Sequence, residues 1–230
     1  MKKYEFTGET KVVFGRALRR IKAVVKFGAV EAGELGGWIE KEENLSHSGN
    51  AWVSGNAKVY GDAEVYGDAK VSSNAEVSGD AKVSGNAWVS GNAWVSGNAE
   101  VYGNAEVYGN AKVYGNAWVY GDAKVSSNAE VSGNAKVYGN AEVYGNAEVF
   151  RMSHLLVIGP VGSRNSFTTF CRDKDNEITV KCGCFLGKID EFLQKVAQTH
   201  GDSKYALVYR AAVEVAKTHI DLSKEVEREE

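Results

Sequence analysis

Valine recurs at every sixth position from Val53 to Val149, 17 times without interruption. An alanine lies two positions before each valine, and an Asn or Asp precedes each alanine. The residue before that is glycine in every unit except two, where Ser73 and Ser127 replace it. The unit is therefore Gly-Asn/Asp-Ala-x-Val-Ser/Tyr, and self-similarity at a fixed period is the signature of a repeat architecture.

Alternation within the unit predicts a short strand. Alanine and valine face one side, and the x residue and Ser/Tyr face the other. The Gly-Asn/Asp pair predicts a tight corner, because these residues reach left-handed backbone conformations most easily. Three units predict one turn of a triangular coil, and residues 47–150 predict about six coils stacked ~4.8 Å apart. A helix is excluded, because valine at period six does not stay on one face of a spiral with about 3.6 residues per turn.

The repeat divides the chain into four parts: an N-terminal β cap (1–46), the β-helix (47–150), a small C-terminal α+β module (151–222) and an acidic tail (223–230). The fold class is thus mainly β. In the cap we predict strands at 1–6 and 18–26, with turns at Gly28 and Gly33. In the module we predict strands at 154–158, 167–172 and 178–185, then two helices ending near 200 and 219. The residues predicted to point inward from the second helix are Leu207, Val208, Ala211, Val215 and Ala216.

The repeat resembles hexapeptide-repeat proteins, which are left-handed β-helices of the trimeric LpxA-like superfamily. The segments 35–39 (LGGWI) and 45–53 (LSHSGNAWV) resemble the entry into the helix of YdcK-like proteins, often found in phage and prophage genomes. Segments 157–165, 182–185 and 199–202 are similar to a C-terminal module of uncharacterised phage proteins. The resemblance implies a left-handed coil and a phage-encoded, modular protein.

The outer surface of the predicted coil carries charges and aromatic rings. Lys and Glu mostly alternate between residues 18 apart, which predicts cross-strand charge pairs that fix the register. Tryptophan and tyrosine are enriched at interfaces, so the outward aromatics are candidate contacts for a protein partner or a second subunit. The alternative is that they fill the surface by stacking on each other. The candidates are Trp52, Trp88, Trp94, Trp118, Tyr102, Tyr120 and Tyr138. This apolar area, together with the resemblance, predicts a homo-oligomer, a trimer or a dimer.

Two further segments are candidate anion sites. The loop 159–165 contains Gly159, Gly162, Ser163, Arg164 and Asn165, and its hydroxyl and guanidinium suit a phosphate or carboxylate. The alternative is a plain β-turn. The cationic group Arg16, Arg19 and Arg20 is either a patch for an acidic partner or one solvated face of a hairpin.

The sequence gives little support for a catalytic site. The resemblance implies a histidine base for acyl transfer, but residues 53–149 contain neither histidine nor cysteine. Only His47 and His154 flank the repeat closely. Alternation places Cys182 and Cys184 on one strand face as small core residues, and Cys-x-Cys is not the usual zinc spacing. We therefore predict no catalytic residues, no metal and no cofactor.

Composition narrows the class of partner. The net charge is −3, and no segment is basic enough for general nucleic-acid binding. No apolar run is long enough for a membrane span, the N-terminus lacks a secretory signal, and three cysteines give no disulfide framework. These features predict that the protein is located in the bacterial cytoplasm.

The favoured function is a non-enzymatic scaffold or binding protein. Its phage setting suggests a target in the bacterial host, such as a component of a defence system that an anti-CRISPR-like inhibitor would block. The alternatives are a hexapeptide acyltransferase and a small-ligand (nucleotide) sponge.

Overall fold

The computed structural model describes residues 2–223 and contains a β-solenoid between two end structures. The solenoid is built from 17 strands of two residues each, β4 to β20, one in every repeat unit. They are β4 Trp52–Val53, β5 Lys58–Val59, β6 Glu64–Val65, β7 Lys70–Val71, β8 Glu76–Val77, β9 Lys82–Val83, β10 Trp88–Val89, β11 Trp94–Val95, β12 Glu100–Val101, β13 Glu106–Val107, β14 Lys112–Val113, β15 Trp118–Val119, β16 Lys124–Val125, β17 Glu130–Val131, β18 Lys136–Val137, β19 Glu142–Val143 and β20 Glu148–Val149.

The strands form three parallel sheets, and each residue pairs with the residue 18 positions later. Trp88 pairs with Glu106, and Val89 pairs with Val107, for example. We name the outer surfaces after their first repeat strand: the β4 face (β4, β7, β10, β13, β16, β19), the β5 face (β5, β8, β11, β14, β17, β20) and the β6 face (β6, β9, β12, β15, β18). The predicted triangular coil of about six turns is confirmed.

The interior contains only the alanine and valine of each unit, all at 0% exposure. Alanine keeps the bore narrow, and valine suits a strand that is buried on its inner side. At the corners, the backbones of successive coils also lie close to each other. A Cβ atom on Gly79, which has φ of +68°, would lie 2.9 Å from the Gly97 nitrogen in the next coil. Ser73 and Ser127 adopt the same conformation, with φ of 62° and 64°.

The N-terminal region extends the β5 face. A hairpin of β1 (Tyr4–Val13) and β2 (Arg16–Ala23) pairs antiparallel with β3 (Leu35–Ile39), and β3 then pairs parallel with β5. Leu45 forms a bridge to Val65. The first coil therefore consists of β3, Leu45 and β4. The predicted first strand ended too early, because the chain reverses only at residues 14–15, where both φ angles are positive.

The C-terminal module is a four-stranded antiparallel sheet covered by two helices. Its strands are β21 (Leu155–Val161), β22 (Ser166–Arg172), β23 (Ile178–Cys182) and β24 (Phe185–Lys188), followed by α1 (Ile189–His200) and α2 (Lys204–His219). The single strand predicted at 178–185 is wrong. Gly183, with φ of +57°, breaks it into a hairpin.

The predicted inward face of α2 is also wrong, except for Ala216. The buried residues are Ala206, Tyr209, Ala212, Val213 and Ala216. Leu207 and Val215 are more than half exposed, at 59% and 52%. The buried residues recur every three or four positions along one side of the helix, and Ala211, which was also predicted to point inward, is exposed. The tail at 224–230 lies outside the described residues. Within residues 2–223, no helix is long and apolar enough to cross a membrane.

Candidate functional site

The outward aromatic side chains are distributed over all three faces of the solenoid. The largest group lies on the β6 face and forms an aromatic ladder of Tyr102, Trp118, Tyr120 and Tyr138. The Tyr102 and Tyr120 rings stack at 5.0 Å, and the Tyr120 and Tyr138 rings at 5.5 Å. Trp118 meets Tyr102 edge-on, and the Lys136 Nζ lies 4.4 Å from the Trp118 ring centre. The rings do stack, as the filler alternative requires, but Tyr138 remains 47% exposed.

A groove lies on the β4 face, between the loop at residues 28–30 and Trp88. Its volume is about 760 Å³. Trp88 is 46% exposed and donates a hydrogen bond from Nε1 to Ser72 Oγ at 3.0 Å. Asn50, Asp68 and Asn86 line one side. On the β5 face, the exposed Trp94 stacks on Tyr114 at 6.1 Å.

Trp52 is not a surface residue, contrary to its prediction. It is only 5% exposed, because the N-terminal hairpin and the chain after it cover it. Its ring packs edge-on against Phe27 at 5.4 Å and near Tyr4 at 6.5 Å. Periodicity correctly placed Trp52 on the outer side of its strand. It did not reveal that the cap folds over this part of the β4 face.

The charged columns pair as predicted, and asparagines add a ladder that sequence reasoning missed. Lys58 pairs with Glu76 at 2.9 Å, and Lys112 pairs with Glu130 at 2.7 Å. At one corner, each asparagine donates from Nδ2 to the Oδ1 of the asparagine 18 residues later. The spacing of 18 was the signal for this ladder. Its members are Asn56, Asn74, Asn92, Asn110, Asn128 and Asn146.

The arginines of the hairpin do not form a free anion site. Arg16 makes a two-pronged contact with the Glu40 carboxylate at 3.0 and 3.1 Å. Arg20 pairs with Glu9 at 3.2 Å. Arg19 lies 3.8 Å from the Phe6 ring centre and donates to the Glu40 carbonyl. The structure therefore supports the alternative, a paired and solvated hairpin face.

Some residues of the loop 159–165 pack against the rest of the module, and others line a pocket. Gly159 packs under Phe167, where a Cβ atom would approach within 2.6 Å of the ring. Asn165 forms the hairpin turn with φ of 50°. Gly162 lies against Tyr209, since a Cβ atom would clash with that hydroxyl at 1.8 Å. Only Ser163 and Arg164 line the pocket, which has a volume of about 150 Å³.

Three segments distant in sequence meet at this pocket. The loop contributes Ser163 and Arg164, the β23–β24 turn contributes residues 182–185, and the end of α1 contributes Thr199 and His200. These are parts of the three segments whose resemblance to a phage module was noted from the sequence. The pocket also has lining residues that none of these segments contains, namely Ser166, Phe192, Lys195, Val196 and Tyr209. Burial and the nearby Cys182 raise the pKa of Tyr209 to about 12.

The cysteines of the β23–β24 turn do not lie as predicted, and both flanking histidines accept hydrogen bonds from the backbone. Cys182 ends β23, whereas Cys184 is exposed in the turn, so the two do not share a strand face. Across residues 2–223, no three metal-ligating side chains come together. His154 is 1% exposed, and its Nδ1 accepts from the Phe150 N–H at 3.2 Å. His47 Nδ1 likewise accepts from the Lys3 N–H at 3.3 Å.

Comparison with known proteins agrees with the architecture. A family model described as the YdcK beta solenoid repeat matches residues 81–97 and 105–121. Together with the six-coil solenoid, these matches define the chain as a repeat β-helix protein. No curated protein matches the chain.

Proposed function

We propose that the protein is a non-enzymatic scaffold that binds a protein partner through the aromatic ladder of the β6 face. The observation that carries the proposal is the ladder itself. It presents four neighbouring aromatic side chains on three successive coils, and Tyr138 leaves nearly half of its surface exposed. Tyrosine and tryptophan supply most of the binding energy in many interfaces.

The solenoid supports this use, because its geometry restrains the rings. The backbone beneath them is hydrogen bonded to the next coil at 2.9–3.0 Å, as between Tyr102 N and Val119 O and between Tyr120 N and Val137 O. Pre-ordered side chains lose little freedom when a partner binds, which favours affinity. Charged neighbours such as Glu100 and Lys136 provide the polar rim that interfaces usually have.

The resemblance to phage-type proteins refines the proposal. The partner would be a protein of the bacterial host, in the cytoplasm, such as a component of a defence system that an anti-CRISPR-like inhibitor blocks. We also propose a homo-oligomer, either a trimer through the solenoid or a dimer through the module. The exposed residues Leu207, Val208 and Val215 of α2 support the second arrangement, since they form an apolar stripe.

The repeat provides well-matched variants for the test. Ser84 occupies the ladder column at the coil before Tyr102, so serine is compatible with this position. The test variant changes Tyr102, Tyr120 and Tyr138 to serine. The control changes three partly exposed tyrosines of the other two faces, Tyr108, Tyr114 and Tyr144, to serine.

Each variant serves as bait in a lysate of phage-infected bacteria, and captured proteins are identified by mass spectrometry. We expect a protein that the wild type and the control retain and the ladder variant loses. Equal capture by the ladder variant and the control would contradict the proposal. Light scattering of each purified variant measures the oligomer separately, and a 24.8 kDa monomer at micromolar concentration would contradict self-association.

A further inference from the structure

The pocket of the C-terminal module combines a cationic rim with an apolar wall. The rim contains Arg164 from the β21–β22 loop and Lys195 from α1. The wall contains Phe185, Phe192 and Tyr209. The two cations belong to different elements of the module, so neither the loop nor the helix forms the rim alone.

The charge of the rim is not neutralised by the protein. In the described part of the chain, no Asp or Glu lines the pocket. Arg164 and Lys195 also form no salt bridge with any residue between 2 and 223, although lysines elsewhere in the module do, as Lys181 does with Glu142 and Lys188 with Glu177. Two unpaired cations beside one cavity favour an anionic ligand.

The donors suit a phosphate group. Arginine presents a planar fork of N–H groups that matches phosphate oxygens, and lysine adds a point charge. Ser163 and Thr199 place hydroxyl groups on the same rim. The Gly183 turn leaves room for the guanidinium, since a Cβ atom there would lie 3.2 Å from Arg164 Nη1.

The wall and the volume limit the rest of the ligand. Tyr209 is buried, and its ring is held between Phe192 at 5.5 Å and His200 at 5.7 Å. The ring cluster is therefore a fixed apolar surface for the part of the ligand that follows the anion. A cavity of about 150 Å³ is smaller than the several hundred Å³ typical of sites that enclose a drug-sized ligand. It fits one anionic group and a small flat body.

We propose that this pocket binds a small phosphate monoester, with the phosphate between Arg164 and Lys195 and an apolar or aromatic body against Phe185 and Tyr209. The site lies in the module, away from the aromatic ladder, so it is independent of the proposed scaffold function. Either proposal stands if the other fails.

Phenyl phosphate is the probe, because it has one phosphate and one small ring. Calorimetric titration compares the full-length wild type with Arg164→Gln, Lys195→Gln and Lys82→Gln. Lys82 is exposed on the solenoid, so its variant is a control for the same loss of charge. Arg164 and Lys195 are also exposed, so their substitution should leave the stability of the protein nearly unchanged. Equal melting temperatures check this. Thr199→Trp obstructs the mouth without changing the charge.

We expect phenyl phosphate to bind the wild type and Lys82→Gln alike, and Arg164→Gln and Lys195→Gln each to bind about tenfold more weakly or worse. Thr199→Trp should abolish binding. As a local readout, phenyl phosphate should slow alkylation of the exposed Cys184 by neutral iodoacetamide. Absence of binding, equal loss in Lys82→Gln, or equally tight binding of benzoate would overturn the assignment of a phosphate ester.

Discussion

The two ends of the solenoid present opposite hydrogen-bonding groups. The N–H groups of the x residue, the Ser/Tyr residue and the Asn/Asp residue of a unit donate to carbonyls of the next coil, as Trp88 N does to Ala105 O and Ser90 N does to Val107 O, both at 2.9 Å. Along this set of bonds, the first coil has carbonyls with no preceding donor. The last coil has N–H groups with no following acceptor. A buried group left without a partner costs about 1–3 kcal/mol, so each end needs a different cap.

Donor side chains cover the first coil. Lys3 Nζ donates to the Ala51 carbonyl at 2.7 Å, and the Tyr4 hydroxyl donates to the Leu45 carbonyl at 2.8 Å. Beside Leu45, where the first coil has no regular strand, Asn44 Nδ2 donates to the Ala63 carbonyl of the second coil at 2.8 Å. Lys3 is only 3% exposed, and this burial lowers the pKa of its ammonium group to about 8.

Acceptor side chains cover the last coil. Thr169 Oγ1 accepts from the Glu142 N–H at 3.0 Å, and His154 Nδ1 accepts from the Phe150 N–H. Salt bridges join the same surfaces, with Lys181 to Glu142 at 2.9 Å and Arg172 to Glu148 at 3.6 Å. The difference between the ends teaches that an uninterrupted repeat has a chemical direction, and that its two caps are not interchangeable.

Removing one end should have the largest effect. A chain cut after Phe150 loses every acceptor of the last coil and uncovers the end of the valine and alanine core, so we expect aggregation through edge pairing. The control deletes residues 85–102, one whole coil, and keeps both caps. It should remain soluble and monodisperse by size-exclusion chromatography. A fragment 1–150 that stays monodisperse with an unchanged melting temperature would refute the capping argument.

Lowering the pH should destabilise the protein through His154, which lies at the C-terminal end of the solenoid. Burial, with Arg172 and Arg151 nearby, lowers the pKa of His154 from 6.5 to about 4. In the unfolded chain this imidazole takes up its proton below pH 6.5, so stability is complete above that pH and falls as the pH decreases toward about 4. Between pH 6.5 and about pH 5 the loss should be about 2 kcal/mol.

Urea unfolding at a series of pH values measures this slope. His154→Asn retains an acceptor near the Nδ1 position but does not titrate, so it should flatten the slope in this interval. The loss below about pH 4.5, where carboxylates such as Glu42 titrate, should persist in the variant. A slope that is unchanged in His154→Asn would exclude this imidazole as its source.

Substitutions of Lys3 test the direction of the N-terminal end. Lys3→Gln keeps a donor, Lys3→Met leaves the carbonyls of Gly49 and Ala51 unpaired, and Lys3→Glu places an acceptor against them. Destabilisation should increase in that order, with about 1–2 kcal/mol for the methionine variant. At the other end, Thr169→Ser should be nearly neutral and Thr169→Val should destabilise. If Lys3→Glu is as stable as Lys3→Gln, the hydrogen-bonding polarity of this end does not contribute to the stability of the protein.

Substitutions at the corners of the repeat, between the two ends, should change the stability of the protein least. Ser127→Gly and Ser73→Gly each remove a side chain from a positive-φ corner, so we expect each to stabilise the protein by about 0.5–1 kcal/mol. Gly97→Ala, at φ of +65°, should destabilise by a similar amount or more. Thermal unfolding measures all three. Loss of stability in either serine-to-glycine variant would contradict the account of the corners.

Much of the solenoid was predictable from the sequence alone. With a constant period, the neighbours of Val89 or Trp94 in the next coil are known by adding 18, so the inward residues, the charge pairs and the three faces follow directly. The aromatic ladder also follows, because its tyrosines repeat at that spacing. Local sequence rules also predicted parts of the module, since the first helix ends at His200 as expected.

Only the tertiary structure decided the features that depend on contacts between distant segments. Trp52 is buried by a cap that folds back over it, and α2 buries the side that contains Tyr209 and Val213 rather than the side that contains Leu207 and Val215. The pocket needs Arg164, Lys195 and Tyr209 together, and no period relates these residues. In the repeat, sequence distance gives spatial distance. In the module and at the ends, packing between unlike elements sets the neighbours, and the sequence carries no spacing from which those neighbours can be read.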